Sequence, residues 1–175
     1  MNPLRIAIIG PECSGKTTLA MHLSHLLNEP MVPEFSRMYF AGRKYEYDQD
    51  DILNIALGQE KLELQHESFS KKFLICDTNN LVNWVWSEYR YGNVPASLKA
   101  TYQPQRYALQ LLCKPDVPWE SDPLRENASR LEDIYNYYLR ILHADEIPYV
   151  PIEGDFLQRY QMALAALEKM GLYEE

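Results

Sequence analysis

The chain alternates short apolar runs with longer stretches in which apolar residues recur every three or four positions. The run ending in Ile6-Ala7-Ile8-Ile9 predicts a first strand that begins by about Leu4. Leu19, Leu23, Leu26 and Leu27 then recur at helical spacing, and Asn28 to Pro30 ends that helix. A short second strand follows, Met31 to Glu34. Asp48 and Asp50, ahead of Ile52, Leu53, Ile55, Ala56 and Leu57, predict caps to a long helix reaching about Ser68. Phe73 to Asp77 is apolar up to its last residue, as a strand buried on both faces should be. A helical pattern from about Asn80 to Tyr89 is broken by Gly92 to Pro95, and Tyr107 to Leu112 predicts a fourth strand. A loop rich in proline and charge, Lys114 to Glu126, leads to a helix from about Ser129 to His143. Tyr149 to Ile152 completes the strands, and Asp155 is placed to cap a last helix, Phe156 to Met170.

Strands joined by helices of this length predict an α/β fold: five parallel strands with helices on both faces, a three-layer α/β/α arrangement with ligands at the carboxyl ends of the strands. The length of 175 residues fits one domain, 1–175, with a lid region at about 114–130, and no repeat or low-complexity tract is visible.

Between the first strand and the first helix stands Gly10-Pro11-Glu12-Cys13-Ser14-Gly15-Lys16-Thr17-Thr18, the G-x-x-x-x-G-K-T spacing of a P-loop, in the strand–loop–helix context that makes the string specific. Gly10 and Gly15 accept backbone angles closed to other residues, so the main-chain N–H groups of Glu12, Cys13, Ser14 and their neighbours can turn inward around a phosphate. The positive end of the helix points at the same place. Lys16 reaches the β- and γ-phosphates as a point charge, and the Thr17 hydroxyl can ligate Mg²⁺. A nucleoside triphosphate with magnesium, ATP and Mg²⁺, is the expected ligand pair.

Residues just past each strand face that loop. Asp77 ends an apolar strand, where a P-loop protein keeps the acid that organises magnesium; the other reading is a cap for the next helix. Glu34, in Val32-Pro33-Glu34-Phe35-Ser36-Arg37, either orients an acceptor hydroxyl and takes its proton or is a surface glutamate paired with Arg37. Arg125, and after it Arg130, could bring positive charge to a transferred group from the loop after the fourth strand, or belong to a solvated charge run. Trp84, Trp86, Tyr89 and Tyr91 crowd the segment after Asp77 and either stack on a planar base, a cationic one above all, or pack in the core; Glu34, Arg37, Asp77, Asn80, Trp84 and Trp86 are the candidate substrate contacts.

Composition narrows the partners. A formal net charge of −8 argues against nucleic acid and suits a small or cationic substrate. Cys13, Cys76 and Cys113 lack C-x-x-C spacing and read as reduced thiols. With a strand starting by Leu4 and no apolar run approaching about 20 residues, neither a signal peptide nor a membrane span is expected, which points to the cytoplasm. The four histidines show no metal-ligand pairing. Whether the chain is a monomer or a homo-oligomer is not decided by the sequence.

Taken together, I-A-I-I-G-P-E-C-S-G-K-T-T at 6–18, V-P-E-F-S-R at 32–37, A-L-G-Q at 56–59, I-C-D-T at 75–78, W-E-S-D-P-L-R at 119–125 and I-E-G-D at 152–155 resemble the ribosylnicotinamide kinase domain of NadR-type proteins, in order and over nearly the whole chain. That resemblance implies a P-loop kinase fold related to nucleoside and nucleotide kinases, with transfer of the ATP γ-phosphate to the 5′-hydroxyl of nicotinamide riboside. It implies phosphate and magnesium binding by Lys16 and Thr17, an acidic strand end at Asp77, a substrate-side carboxylate at Glu34 and a lid arginine at Arg125. Bifunctional members carry an upstream adenylyltransferase domain. This chain starts at the kinase strand, so that second activity is expected to be absent. Pro33 stands where a member of that family has an aromatic residue, so the base-stacking contact is expected to be either missing or moved to Trp84 or Trp86. A kinase of another nucleoside or vitamin alcohol, and an ATPase module driving a partner, are the alternatives.

Overall fold

The computed structural model describes residues 2–42, 46–120 and 129–172. Five strands, β1 (Leu4–Ile9), β2 (Met31–Val32), β3 (Phe73–Asp77), β4 (Tyr107–Cys113) and β5 (Val150–Ile152), form one sheet in the order β2-β3-β1-β4-β5. Every pairing is parallel, so all carboxyl ends lie along one edge. The central strand β1 sets Ile6 beside Ile75 on one side and Leu109 on the other. Among the described residues seven α-helices connect or flank the strands: α1 (Lys16–Leu27), α2 (Phe35–Phe40), α3 (Gln49–Glu67), α4 (Leu81–Tyr91), α5 (Ala96–Thr101), α6 (Leu131–Ala144) and α7 (Phe156–Lys169).

The pleat divides the core into two layers because successive strand residues point to opposite faces. Ala7 and Ile9 of β1 pack with Leu81 and Val85 of α4 and with Ile134, Tyr138 and Leu142 of α6. Ile6 and Ile8 pack on the other face with Leu19, Ala20 and Leu23 of α1 and with Ala163 and Leu167 of α7. This is the three-layer α/β/α architecture expected from the alternation. Helix starts follow the side-chain chemistry: Asp48 accepts from the Asp51 N–H at 3.0 Å while Asp51 accepts from the Asp48 N–H at 3.0 Å, a reciprocal capping box. Asp155 and Gln158 repeat the device at the start of α7. Asp50 lies within the first turn of α3 and is not its cap.

Two short helices, α2 and α5, are absent from the sequence expectations. β2 ends at Val32, and Glu34 is the residue that precedes α2 rather than a strand residue. Cys76 and Cys113 are buried in β3 and β4, and all three cysteines are free thiols. Among the described residues no helix is long and apolar enough to cross a membrane.

Candidate active site

The loop from β1 to α1 is shaped by two positive-φ glycines. Gly10 has φ +137, and a Cβ there would lie 2.5 Å from the Cys113 carbonyl oxygen, so the loop can leave the sheet against β4 only because that atom is missing. Gly15 has φ +78 and stands immediately before α1. The loop is closed on itself: Ser14 Oγ donates to the Pro11 carbonyl at 2.8 Å and Lys16 Nζ donates to the same oxygen at 2.5 Å. Its residues 11–19 line a cavity of about 350 Å³ at the carboxyl edge of the sheet.

The rest of the lining comes mainly from three further elements. Glu34, Ser36, Arg37 and Phe40 come from the turn before α2 and from α2 itself. Val82, Val85, Trp86 and Tyr89 come from α4, where the i, i+3, i+4, i+7 spacing puts them on one face. Ile134 and Tyr138 come from α6. Near the phosphate loop the cavity is bounded by Val117, Pro118, Glu120, Phe156 and Arg159. Cys13 joins the loop to this side: its sulfur lies 3.5 Å from the Pro118 carbonyl and accepts from the Glu120 N–H at 3.2 Å.

Asp77 stands behind Thr17 rather than in the cavity wall, with Thr17 Oγ1 donating to its Oδ2 at 2.7 Å. Its other oxygen, Oδ1, is buried without a hydrogen-bond partner among the described residues. Burial, and next the negative charge of Glu34, push the Asp77 carboxyl up to about 6, against the opposing pull of Thr17, Lys16 and Arg37. The two carboxylates therefore share one field. Glu34 accepts from Ser36 Oγ at 2.8 Å. The phenol of Tyr138, buried against the same wall, is raised well above its ordinary value by burial and then by the charges of Glu34 and Glu12.

Asp77 is not a helix cap: Asn80 holds the position before α4, and the side chain that accepts from the Leu81 N–H, at 3.0 Å, is that of Asn79. Lys16, Thr17, Thr18, Glu12, Cys13, Ser14, Gly15, Glu34, Arg37 and Trp86 meet in one cavity. Besides Asp77, two expected substrate contacts, Asn80 and Trp84, are not in the lining. Asn80 is consumed in packing: its Nδ2 donates to the carbonyls of Ala56 at 3.0 Å and Thr101 at 3.2 Å, and its Oδ1 accepts from Asn83 at 3.0 Å. Trp84 falls off the cavity stripe of α4 and packs instead near Tyr102, with the Lys99 ammonium 4.9 Å from its ring centre. Arg130 is exposed outside the cavity lining and reaches Tyr89 Oη only at 3.5 Å. Arg125 lies outside the described residues.

The sequence reading misses Arg159. Its guanidinium donates to the carbonyls of Ser14 at 2.8 Å, Gly154 at 2.7 Å and Lys114 at 3.0 Å, and pairs with Asp116. One buried side chain thus ties the phosphate loop to the ends of β4 and β5.

Among the described residues no group of three or more His, Cys, Asp or Glu side chains is placed to hold a metal ion. A hydroxyl and one carboxylate beside a triphosphate site instead suit Mg²⁺, which keeps most of its water and shares its shell with phosphate oxygens. The orphaned Asp77 Oδ1 fits that role.

A family model described as an AAA domain matches residues 5–159. The chain belongs to the AAA domain family. The chain is 24% identical over 172 residues to the trifunctional NAD biosynthesis/regulator protein NadR of Salmonella typhimurium (strain LT2), and equally so to that of Escherichia coli (strain K12). These matches cover 94% of this AAA-domain chain and 42% of each relative, so the chain spans less than half of their length. The fold is similar to a crystal structure of NadR protein in complex with NR, with a TM-score of 0.83 at 18% identity, covering 98% of this chain and 52% of that one. A NadR structure in complex with NAD and AMP-PNP gives 0.79 at 19% identity, over 99% of this chain and 51% of the other. A thymidylate kinase from Candida albicans shares the fold at 0.69 and 14% identity, over 99% and 94% of the two chains. The NadR-type resemblance of the motifs thus extends to the whole chain and its fold.

Proposed function

We propose that the chain is an ATP-dependent kinase that phosphorylates the 5′-hydroxyl of nicotinamide riboside, giving the mononucleotide in NAD salvage. The observation that carries this is that Glu34, Trp86 and Tyr89 line one cavity together with Lys16 and Thr17. A phosphate donor and an alcohol acceptor can lie there face to face. Trp86 and Tyr89 offer ring faces, and Glu12 and Glu34 offer negative charge, which together favour a flat cationic ring such as a pyridinium. The NadR relatives and the NR-bound NadR structure support that choice of substrate.

Glu34 rather than Asp77 takes the hydroxyl proton, because Glu34 lines the cavity while Asp77 is committed to Thr17. The riboside oxygen forms a new bond to the γ-phosphorus, the bond to the β,γ-bridging oxygen breaks, and ADP leaves with the electron pair. Lys16, with Arg37 and Arg125 as further cations, offsets charge on the transferred group. Thr17 and Asp77 would hold Mg²⁺, which supplies charge neutralisation on the phosphate oxygens when bound. Because the transition state is loose, placement of these groups counts for more than the strength of the base.

Transfer of label from γ-labelled ATP to a panel of ribosides and vitamin alcohols tests the reading. Nicotinamide riboside is expected to give the highest kcat/KM, and Glu34→Gln to lower kcat by roughly 10²–10⁴-fold. Label released to water at the same rate with and without any alcohol would make the chain an ATPase instead.

A further inference from the structure

Glu34 is held by a residue that does not touch the cavity. Gln59 of α3 is 1% exposed, and its side-chain amide faces the Pro33-Glu34-Phe35 segment. Its Oε1 accepts from the Phe35 N–H at 2.8 Å, and its Nε2 donates to the Pro33 carbonyl at 3.4 Å. Those two groups belong to the peptide planes on either side of the Glu34 Cα. A single amide therefore fixes both planes, and with them the direction in which the Glu34 side chain leaves the backbone. The preceding residue completes the seat. Gly58 lies mid-way along α3, where glycine weakens a helix, yet a Cβ there would lie 2.1 Å from the Phe35 ring. The ring rests where the side chain is missing, and this contact stops the segment turning about the Gln59 bonds.

We infer that Gly58 and Gln59 form a socket on α3 that positions the acceptor-side carboxylate Glu34. Gln59 is a positioning residue that acts through Glu34, and the inference rests on the role given to Glu34 under the proposed function. Ser36, bonded to the Glu34 carboxylate at 2.8 Å, sets the far end of the same side chain. The socket explains why a strand of only two residues, β2, can present a carboxylate accurately: its alignment comes from α3 rather than from the sheet.

The test is a cycle on the full chain: Gln59→Leu, Glu34→Gln and the double variant, with kcat, the KM for nicotinamide riboside, the KM for ATP, and Tm. Gln59→Leu is expected to lower kcat about 10- to 100-fold, the scale of a misplacement of about 1 Å, with the ATP KM within about twofold of wild type. In the Glu34→Gln background the same change should lower kcat by less than about twofold, since nothing is left to position. Gly58→Ala keeps every polar group but drives a methyl into the Phe35 ring; it is expected to lower kcat in the same way, and Phe35→Leu beside it to restore at least part of the loss. Wild-type kcat in Gln59→Leu alongside a low kcat in Glu34→Gln overturns the inference. Losses that multiply in the double variant also overturn it, because general loosening of the fold would act whether or not Glu34 is present. Wild-type kcat in Glu34→Gln overturns the assignment of Glu34 itself.

Discussion

Thr17 Oγ1 and Asp77 Oδ2 lie 2.7 Å apart, which locks the first turn of α1 to the carboxyl end of β3 and leaves the other Asp77 oxygen buried and unpartnered among the described residues. Under the proposed function that unpartnered oxygen is the one offered to Mg²⁺. Burial and the Glu34 charge lift the Asp77 carboxyl from 3.8 to about 6.

The sign of the stability effect follows from that rise. A folded-state value above the unfolded one means that the protonated form stabilises the fold below about pH 4, and that this contribution is lost as pH rises through about 6. In metal-free buffer at pH 8, Asp77→Asn should therefore be more stable than wild type by about 2–3 kcal/mol, or roughly 4–12 °C in Tm, with the gap closing toward pH 4. Activity should be lost in the same variant. Equal thermal unfolding curves for the two proteins at pH 8 would contradict the linkage.

Gly10→Ala tests the close approach of the phosphate loop to β4. The added methyl would meet the Cys113 carbonyl oxygen at 2.5 Å, and alanine at φ +137 is strained as well. A loss of about 2–4 kcal/mol in urea unfolding is expected, with nucleotide affinity falling too as the loop shifts. A change at Gly42, where φ is +74 but no atom lies within 4 Å of an added Cβ, carries only the backbone strain and should cost less.

How much of this was legible depends on range. The phosphate loop, the capping residues Asp48 and Asp155, and the buried strand ending at Asp77 are local patterns, and each lies where the sequence places it. The short helix Phe35–Phe40 begins two residues after Pro33 and is too brief for its period to show against an extended reading. Trp84 and Trp86 look equivalent in sequence. A two-residue step turns a helix by about 200°, however, so only one of them can share the cavity face with Val82, Val85 and Tyr89. Asn80 resembled a substrate contact because it follows the strand end, but its amide is spent on the carbonyls of α3 and α5. Arg159 gave no local signal at all, since its partners are carbonyls up to 145 residues away.

Trp86 owes its orientation to Tyr47. The indole N–H donates to Tyr47 Oη at 2.7 Å, Arg90 donates to the same oxygen at 2.9 Å, and the Tyr47 and Trp86 rings meet edge-on with centres 4.7 Å apart. Tyr47→Phe keeps the ring and removes the acceptor, which leaves the part-buried indole N–H without it. A net loss of about 1 kcal/mol is the usual scale, so the KM for the riboside should rise about three- to tenfold with the ATP KM unchanged. Tryptophan emission shifting on titration with the riboside gives the same affinity independently. If the riboside KM stays put while Tm falls, the bond supports the fold and not the substrate wall.

Arg159 is the remaining link between the fold and the chemistry. Its side chain is buried, and it holds three carbonyls and Asp116 at once, a set that the planar fork of a guanidinium can span and an ammonium cannot. Arg159→Lys preserves the charge but should abandon at least two of these bonds. Asp116 is partly exposed and can be rehydrated, so the cost is set mainly by the stranded carbonyls, at about 2–3 kcal/mol or roughly 4–12 °C in Tm. The Ser14 carbonyl belongs to the phosphate loop, and its release should loosen the grip on the triphosphate: the ATP KM is expected to rise about tenfold while the riboside KM changes little. The split between the two constants is the informative readout, because a general loss of stability would move both. An Arg159→Lys protein with wild-type ATP KM and a lowered Tm would make Arg159 a brace of the α7 end alone, with the phosphate loop holding its shape through Gly10, Ser14 and Lys16.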